Sequence, residues 1–181
     1  MRIDILTLFP EMFLGVINSS IIKRAQEQNL VQINLHNFRD FADNKHKKVD
    51  DTPYGGGAGM ILMLPPLIDC LKSIPDYKKA TKILTTPSGN KYHQETANRL
   101  STTDHIIIIC GHYEGVDERI LNFIDLEISI GDFILTGGEI VALTIIDSMI
   151  RLIPTVISDE STIEESFSEN LLEYPQYTKP S

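Results

Sequence analysis

A chain of 181 residues that is 42% hydrophobic is long enough for one domain with a substantial core. Its formal net charge of −9 argues mildly against a large nucleic-acid surface, although Lys45, Lys47 and Lys48 cluster around His46 and acids dominate from Asp159 to Glu173. No apolar run approaches the roughly 20 residues that cross a bilayer, so no membrane partner is expected.

The opening segment MRIDILTLFPEMF has no secretory pattern: its apolar stretch is short, contains Asp4 and lacks a small-residue cleavage site. Cys70 and Cys110 lie far apart in apolar contexts and form no CxxC. They read as reduced thiols of a cytoplasmic protein, not as a zinc site or a staple.

Taken in chain order, RIDILTL (Arg2–Leu8) alternates apolar and polar residues and predicts a strand. Ser20–Gln28 predicts a helix that begins at a serine cap and ends near Asn29, and LVQINLH (Leu30–His36) a second strand. YGGGAGM (Tyr54–Met60) is followed by no GK[ST] and does not join a strand to a helix. It is therefore neither a phosphate loop nor a dinucleotide fingerprint, and a mobile loop is expected. Pro65–Ile74 opens on prolines that suit a first helical turn. KILTT (Lys82–Thr86), HIIIIC (His105–Cys110) and LEISI (Leu126–Ile130) are β-branched runs that predict strands. The unbroken isoleucines Ile106–Ile109 predict a strand covered on both faces, as in a parallel sheet. Gln94–Leu100 and Asp117–Phe123 predict short helices, the second with Asp117 as N-cap.

Glu139–Leu152 predicts the longest helix, stopped by Pro154. It is apolar nearly all round, which places it at the centre of the fold or in a subunit interface. From Ser158 the chain turns polar and acidic and reads as a loop. Strands alternating with helices define an α/β class with a mostly parallel sheet and helices on both faces.

In such sheets, ligands bind beyond the carboxyl ends of the strands. Three glycine-bearing loops follow predicted strand ends: TPSG (Thr86–Gly89), GHYEG (Gly111–Gly115) and GDFILTGGE (Gly131–Glu139). Glycine permits positive φ and close backbone approach to a ligand, so three such loops in succession suggest one shared pocket. His112, Glu114 and Asp117 do not match a recognised metal-ligand spacing; a solvated helix entry accounts for them better, and no metal site is assigned. Neither serine nor cysteine sits in a nucleophile elbow, so hydrolase chemistry has little support.

CGHYEGVDER and EISIGDFILTGGE strongly resemble the bacterial tRNA (guanine-N1)-methyltransferases, the TrmD family of the SPOUT superfamily. RIDILTLFPEMF, NSSIIKRAQ, NLHNFRDFA, DDTPYGGGAGM, TPSG, IIDSMIRLIP and LLEYPQYTKP resemble further segments of that family in the same order, from Met1 to the end of the chain. The resemblance implies a trefoil-knotted domain that binds S-adenosylmethionine and methylates N1 of guanosine 37, 3′ of the anticodon in tRNA. It also implies a homodimer whose active sites are shared between subunits, the tRNA anticodon stem-loop as partner, and magnesium during methyl transfer.

Residue by residue, the cofactor-binding positions implied are Thr86, Pro87 and Gly89, then Cys110, Gly111, Tyr113 and Gly115. Ser129, Ile130, Gly131, Phe133, Leu135, Gly137 and Gly138 complete them. Glu114 matches an acid beside the methionyl end or target base, and Arg151 the arginine that steadies charge on guanine O6. The family's general base is an aspartate in an EDSF-like motif; EESF (Glu164–Phe167) places Glu165 there. Residues 1–157 would form the knotted domain, and 158–181 a linker toward a helical C-terminal tRNA-binding domain that is absent from this chain. The alternative expectation is a cofactor-binding knotted domain whose methylation is weak or lost through that absence and the glutamate.

Overall fold

The computed structural model describes residues 1–157, 174–175 and 177–179. Five strands, β1 (Arg2–Thr7), β2 (Gln32–Asn37), β5 (Thr81–Lys91), β6 (His105–Cys110) and β7 (Leu126–Ser129), form one sheet in the order β2-β1-β6-β5-β7. Every pairing in it is parallel. A hairpin of β3 (Asp50–Asp51) and β4 (Ile61–Leu62) stands apart.

The helices are α1 (Glu11–Ile17), α2 (Ser20–Glu27), α3 (Leu64–Ser73), α4 (Gln94–Ser101) and α5 (Glu139–Ile150). They cover both faces of the sheet. Ile3, Ile5, Ile106, Ile108 and Cys110 pack with α1, α2, α4 and α5 on one face. Leu6, Leu84, Ile107 and Ile109 pack with α3 on the other. This explains the isoleucine run: successive side chains of β6 enter opposite cores, and all four are fully buried. Each such burial contributes about 1.5–3 kcal/mol relative to an exposed side chain.

Several boundaries differ from the sequence expectation. β2 starts at Gln32 because the Leu30 amide still donates to Ala25 O, closing α2. Asn29 lies in the left-handed region there, at φ 58°. The N-cap of α2 is Ser19, but its hydroxyl donates back to Gly15 O and makes no cap bond. The short helix α1 has no counterpart in the sequence expectation. Asp117 caps as expected, accepting from the Arg119 amide at 3.0 Å, but the segment it opens, Glu118–Phe123, is a 3-10 helix.

TPSG is not a loop. It lies inside β5, which bulges after Thr85 and resumes pairing with β7 at Asn90–Ile128. The glycine cluster 54–60 is anchored at its end: Met60 O accepts from the Glu114 amide at 3.0 Å. The largely apolar α5 needs little cover from outside its own chain, because Val141, Ala142, Ile145, Ile146, Met149 and Ile150 are all buried within it.

Asp4 sits fully buried on β1, ringed by Arg2, Asn34, His36 and His105. Burial opposes its ionisation, but hydrogen bonds from His36, Arg2, His105 and Asn34 outweigh that and hold its carboxyl far below the usual range. Cys70 is a buried free thiol pushed up to about 12 by burial and by the charges of Asp40 and Asp4. Cys110 is also free, and burial, with the charge of Glu139, raises it well above its ordinary value. Neither thiol is poised to react.

Candidate functional site

A cleft of about 370 Å³ opens beyond the carboxyl ends of β5, β6 and β7. β6 leaves the sheet at Gly111, where a Cβ would lie 3.1 Å from Thr85 O. The chain then turns tightly: the Gly115 amide donates to His112 O at 3.1 Å, and Tyr113 is held at φ 58°. Gly115, at φ 128°, faces open space, with nothing within 4 Å of a Cβ placed there. Only glycine holds that conformation without strain.

The third loop returns to meet the second. The Gly138 amide donates to Gly111 O at 2.8 Å, and Gly137 bridges His112. A Cβ on Gly138 would overlap Thr85 Oγ1 and lie 2.9 Å from Gly111 N. Glycine there serves backbone-to-backbone closure. Beneath this seam the carboxylate of Glu139 is almost completely buried and accepts from Thr7 Oγ1 at 2.8 Å. Thr7 Oγ1 in turn accepts from the Phe9 amide at 3.0 Å. α5 is thereby tied to the end of β1.

Most of the residues singled out in the sequence converge on this cleft. Thr86 and Pro87 line it from β5; Gly111, Tyr113, Glu114 and Gly115 from the turn after β6. Ser129, Ile130 and Gly131 line it from the end of β7, and Phe133, Leu135, Gly137 and Gly138 from the returning loop. Tyr113, Phe133 and Leu135 are exposed apolar groups along its walls.

Gly89 and Cys110 do not line it. Gly89 packs against the backbone of β7, and Cys110 is buried in the core. Arg151 caps the far end of α5 and lies outside the lining. Glu165 lies outside the described residues.

Sequence reasoning missed Val116, Glu118, Ile120, Leu121 and Glu127, which also line the cleft. They lie in or just before segments read as helix and strand. The available signal was their continuity with GHYEG and with the end of LEISI.

The lining includes Glu114, Glu118 and Glu127, and neither lysine nor arginine among the described residues. The acids of the lining thus have no basic counterpart within it apart from His112. Asp117 is engaged by Arg119, whose Nη2 donates at 2.6 Å and Nε at 2.9 Å. Those bonds lower its carboxyl below the ordinary value. His112 Nδ1 accepts from the Tyr113 amide at 3.1 Å, and its ring packs 5.0 Å from that of Phe9. Among the described residues no group of three or more histidines, cysteines and acids could hold a metal ion.

A glycine-walled, acid-lined cleft at the carboxyl ends of a parallel sheet defines a small-molecule-binding α/β domain. The comparisons with known proteins narrow the class. The family model for "tRNA (Guanine-1)-methyltransferase TrmD" matches residues 1–181, and the chain belongs to that family. It is 56% identical over 180 residues to the tRNA (guanine-N(1)-)-methyltransferase of Malacoplasma penetrans, covering 99% of this chain and 79% of that one. It is also 56% identical to the enzyme of that name from Carboxydothermus hydrogenoformans, covering 99% of this chain and 72% of the other. The crystal structure of tRNA (m1G37) methyltransferase from Aquifex aeolicus superposes with a TM-score of 0.84 at 39% identity, over 99% of this chain and 76% of that one.

Proposed function

We propose that this protein transfers a methyl group from S-adenosylmethionine to N1 of guanosine 37 in tRNA. The observation that carries the reading is the acid-lined glycine cleft at the strand ends, in a chain matched throughout by the family. Its volume falls within the range of small-molecule sites. Its apolar walls suit an adenine ring, and its carboxylates suit a cationic ligand. S-adenosylmethionine, when bound, supplies an electrophilic methyl group on a positively charged sulfonium.

The remaining work falls to side chains. Guanine N1 carries a proton and is a poor nucleophile until a base removes it. Glu165 takes that role from its place in the EESF segment, and Arg151 steadies the negative charge that develops on O6. Glu114, on the cleft wall, would offer its acid to the positive end of a bound donor.

The distance along α5 supports a site shared by two subunits. Its 12 residues, at about 1.5 Å each, put Arg151 about 18 Å along the helix from Glu139, which follows the Gly137–Gly138 wall. An arginine placed outside its own chain's cleft lining suits a site completed by a second subunit. Met12, Leu14, Val16 and Ile140 are exposed apolar side chains on α1 and α5 that suit such a homodimer. A monomeric mass by light scattering at micromolar concentration would exclude it.

The return of 136–138 between the ends of β5 and β6 supports a trefoil-knotted SPOUT topology. Residues 1–157 act as the cofactor-binding domain and 158–181 as a linker. The anticodon stem-loop is the RNA partner, and the protein works in the cytoplasm. No helix among the described residues is long and apolar enough to cross a membrane.

The test is methyl transfer to unmodified tRNA alongside calorimetric titration of S-adenosylmethionine. Gly115→Glu places bulk and negative charge in the open side of the cleft and is expected to abolish cofactor binding. Unchanged binding in that variant would remove the cofactor from this cleft.

A further inference from the structure

The glycine cluster 54–60 has no part in the chemistry above, yet it is built against the cleft. It forms the tip of the hairpin β3–β4, whose roots are fixed: Val49 and Leu62 are fully buried, and the Met63 amide donates to Val49 O at 2.7 Å. Past the tip, the arm runs along the turn after β6. The Glu114 amide donates to Met60 O at 3.0 Å, the Leu62 amide to Gly115 O at 2.9 Å, and the Asp117 amide to Leu62 O at 3.0 Å. The arm is thus fastened to the turn at Glu114 and at two residues just after it.

Gly59 differs from its neighbours. Gly55, Gly56, Gly57 and Gly59 all have positive φ, at 91°, 87°, 130° and 85°. A Cβ on any of the first three would meet nothing within 4 Å. A Cβ on Gly59 would overlap Glu114 Cγ and lie 2.7 Å from Oε1 and 2.8 Å from Cδ. The Glu114 side chain therefore lies directly over the Gly59 backbone.

We infer that Gly59 is a positioning residue for Glu114: its bare backbone is the seat that fixes where the cleft-wall carboxylate points. The inference rests on the reading of Glu114 as an acid of the methyl-transfer site. Because Cγ itself is in the way, Glu114 can yield to a side chain at 59 only by rotating about its Cα–Cβ bond. That rotation carries the carboxylate by more than about 1 Å, a misplacement whose catalytic scale is about 10²-fold. The arm is held to the turn immediately past the contact, since Met60 and Leu62 are bonded to Glu114, Gly115 and Asp117.

The backbone supplies a matched control. Gly56→Ala imposes the same left-handed strain as Gly59→Ala, at nearly the same φ, without touching Glu114. The two variants are expected to melt at similar temperatures, because displacing the exposed Glu114 side chain disturbs no buried packing. Their turnover is expected to differ: Gly59→Ala loses about tenfold to a hundredfold in kcat for tRNA methylation relative to Gly56→Ala. In a Glu114→Ala background the space is open, and Gly59→Ala is expected to cause no loss beyond that of Gly56→Ala.

Equal kcat for the two single variants would overturn the inference, as would a Gly59→Ala loss that persists undiminished in Glu114→Ala. Crystal structures of the two variants give a readout independent of activity. A new Glu114 rotamer in Gly59→Ala but not in Gly56→Ala upholds the seat, and an unmoved Glu114 refutes it. Should Glu114→Ala alone leave methylation unchanged, the catalytic role of Glu114 falls, and the structures alone decide the positioning.

Discussion

Replacing Gly89 with alanine separates a structural glycine from a ligand-contacting one. A Cβ at 89 would lie 2.5 Å from Ile128 N, 2.6 Å from Glu127 C and 2.8 Å from Ile128 C. Ordinary contacts of this kind begin near 3.4 Å, so β5 and β7 must separate by about 1 Å at this point. The obstructing atoms are backbone and cannot rotate away. Overpacking of this sort costs about 1–3 kcal/mol. In a domain of this size each kcal/mol lowers Tm by about 2–4 °C. The shift also moves Ser129, Ile130 and Gly131, which line the cleft from the end of β7. Gly89→Ala is therefore expected to lower Tm by several degrees and to weaken cofactor binding as a consequence. Thermal melts and calorimetry on one sample check both. An unchanged Tm with weakened binding would refute the reasoning, because Gly89 would then act on the ligand itself.

Asp4→Asn leaves Arg2 and two histidines around a neutral amide and should cost about 3–5 kcal/mol at neutral pH, measured by chemical denaturation. The folded-state pKa of Asp4 is depressed, so its stabilisation is complete above its unfolded value of about 3.9 and is lost as pH falls below that toward the folded value. The gap between wild type and Asp4→Asn should narrow as pH drops below about 4, and a constant gap would contradict the assignment. Thr7→Val keeps the volume of the side chain but removes the donor to buried Glu139; an unsatisfied buried acceptor costs about 1–3 kcal/mol, and denaturation midpoints should fall accordingly. Arg151→Ala should reduce methyl transfer by about 2.7–4 kcal/mol in barrier while sparing cofactor binding, and full activity would remove it from the site. Glu165→Gln should abolish the base at constant size; an unchanged rate would pass that role to another group.

The sequence by itself determined the class of fold. β-branched runs ending at turn residues dictate strands, and four consecutive isoleucines require cover on two faces, which β6 receives at the middle of the sheet. Glycines after strand ends pointed to the cleft, because that pattern is local and readable. What each glycine does was decided only in three dimensions. Gly115 opens onto the cleft, Gly89 admits the backbone of β7, Gly138 admits Thr85 and Gly111, and Gly59 admits Glu114. All four are the same letter, and the partners of the last three lie far along the chain, across pairings that no local pattern encodes. The same reason hid the bulge in β5 and the anchored arm at 54–60. A bulge depends on where the neighbouring strand resumes its register, and an arm depends on what stands beside it. The buried ring around Asp4 was equally invisible. It draws on β1, β2 and β6, and only the parallel order β2-β1-β6 brings His36 and His105 to one carboxylate. Local chemistry selects the elements, and tertiary contact assigns each residue its work.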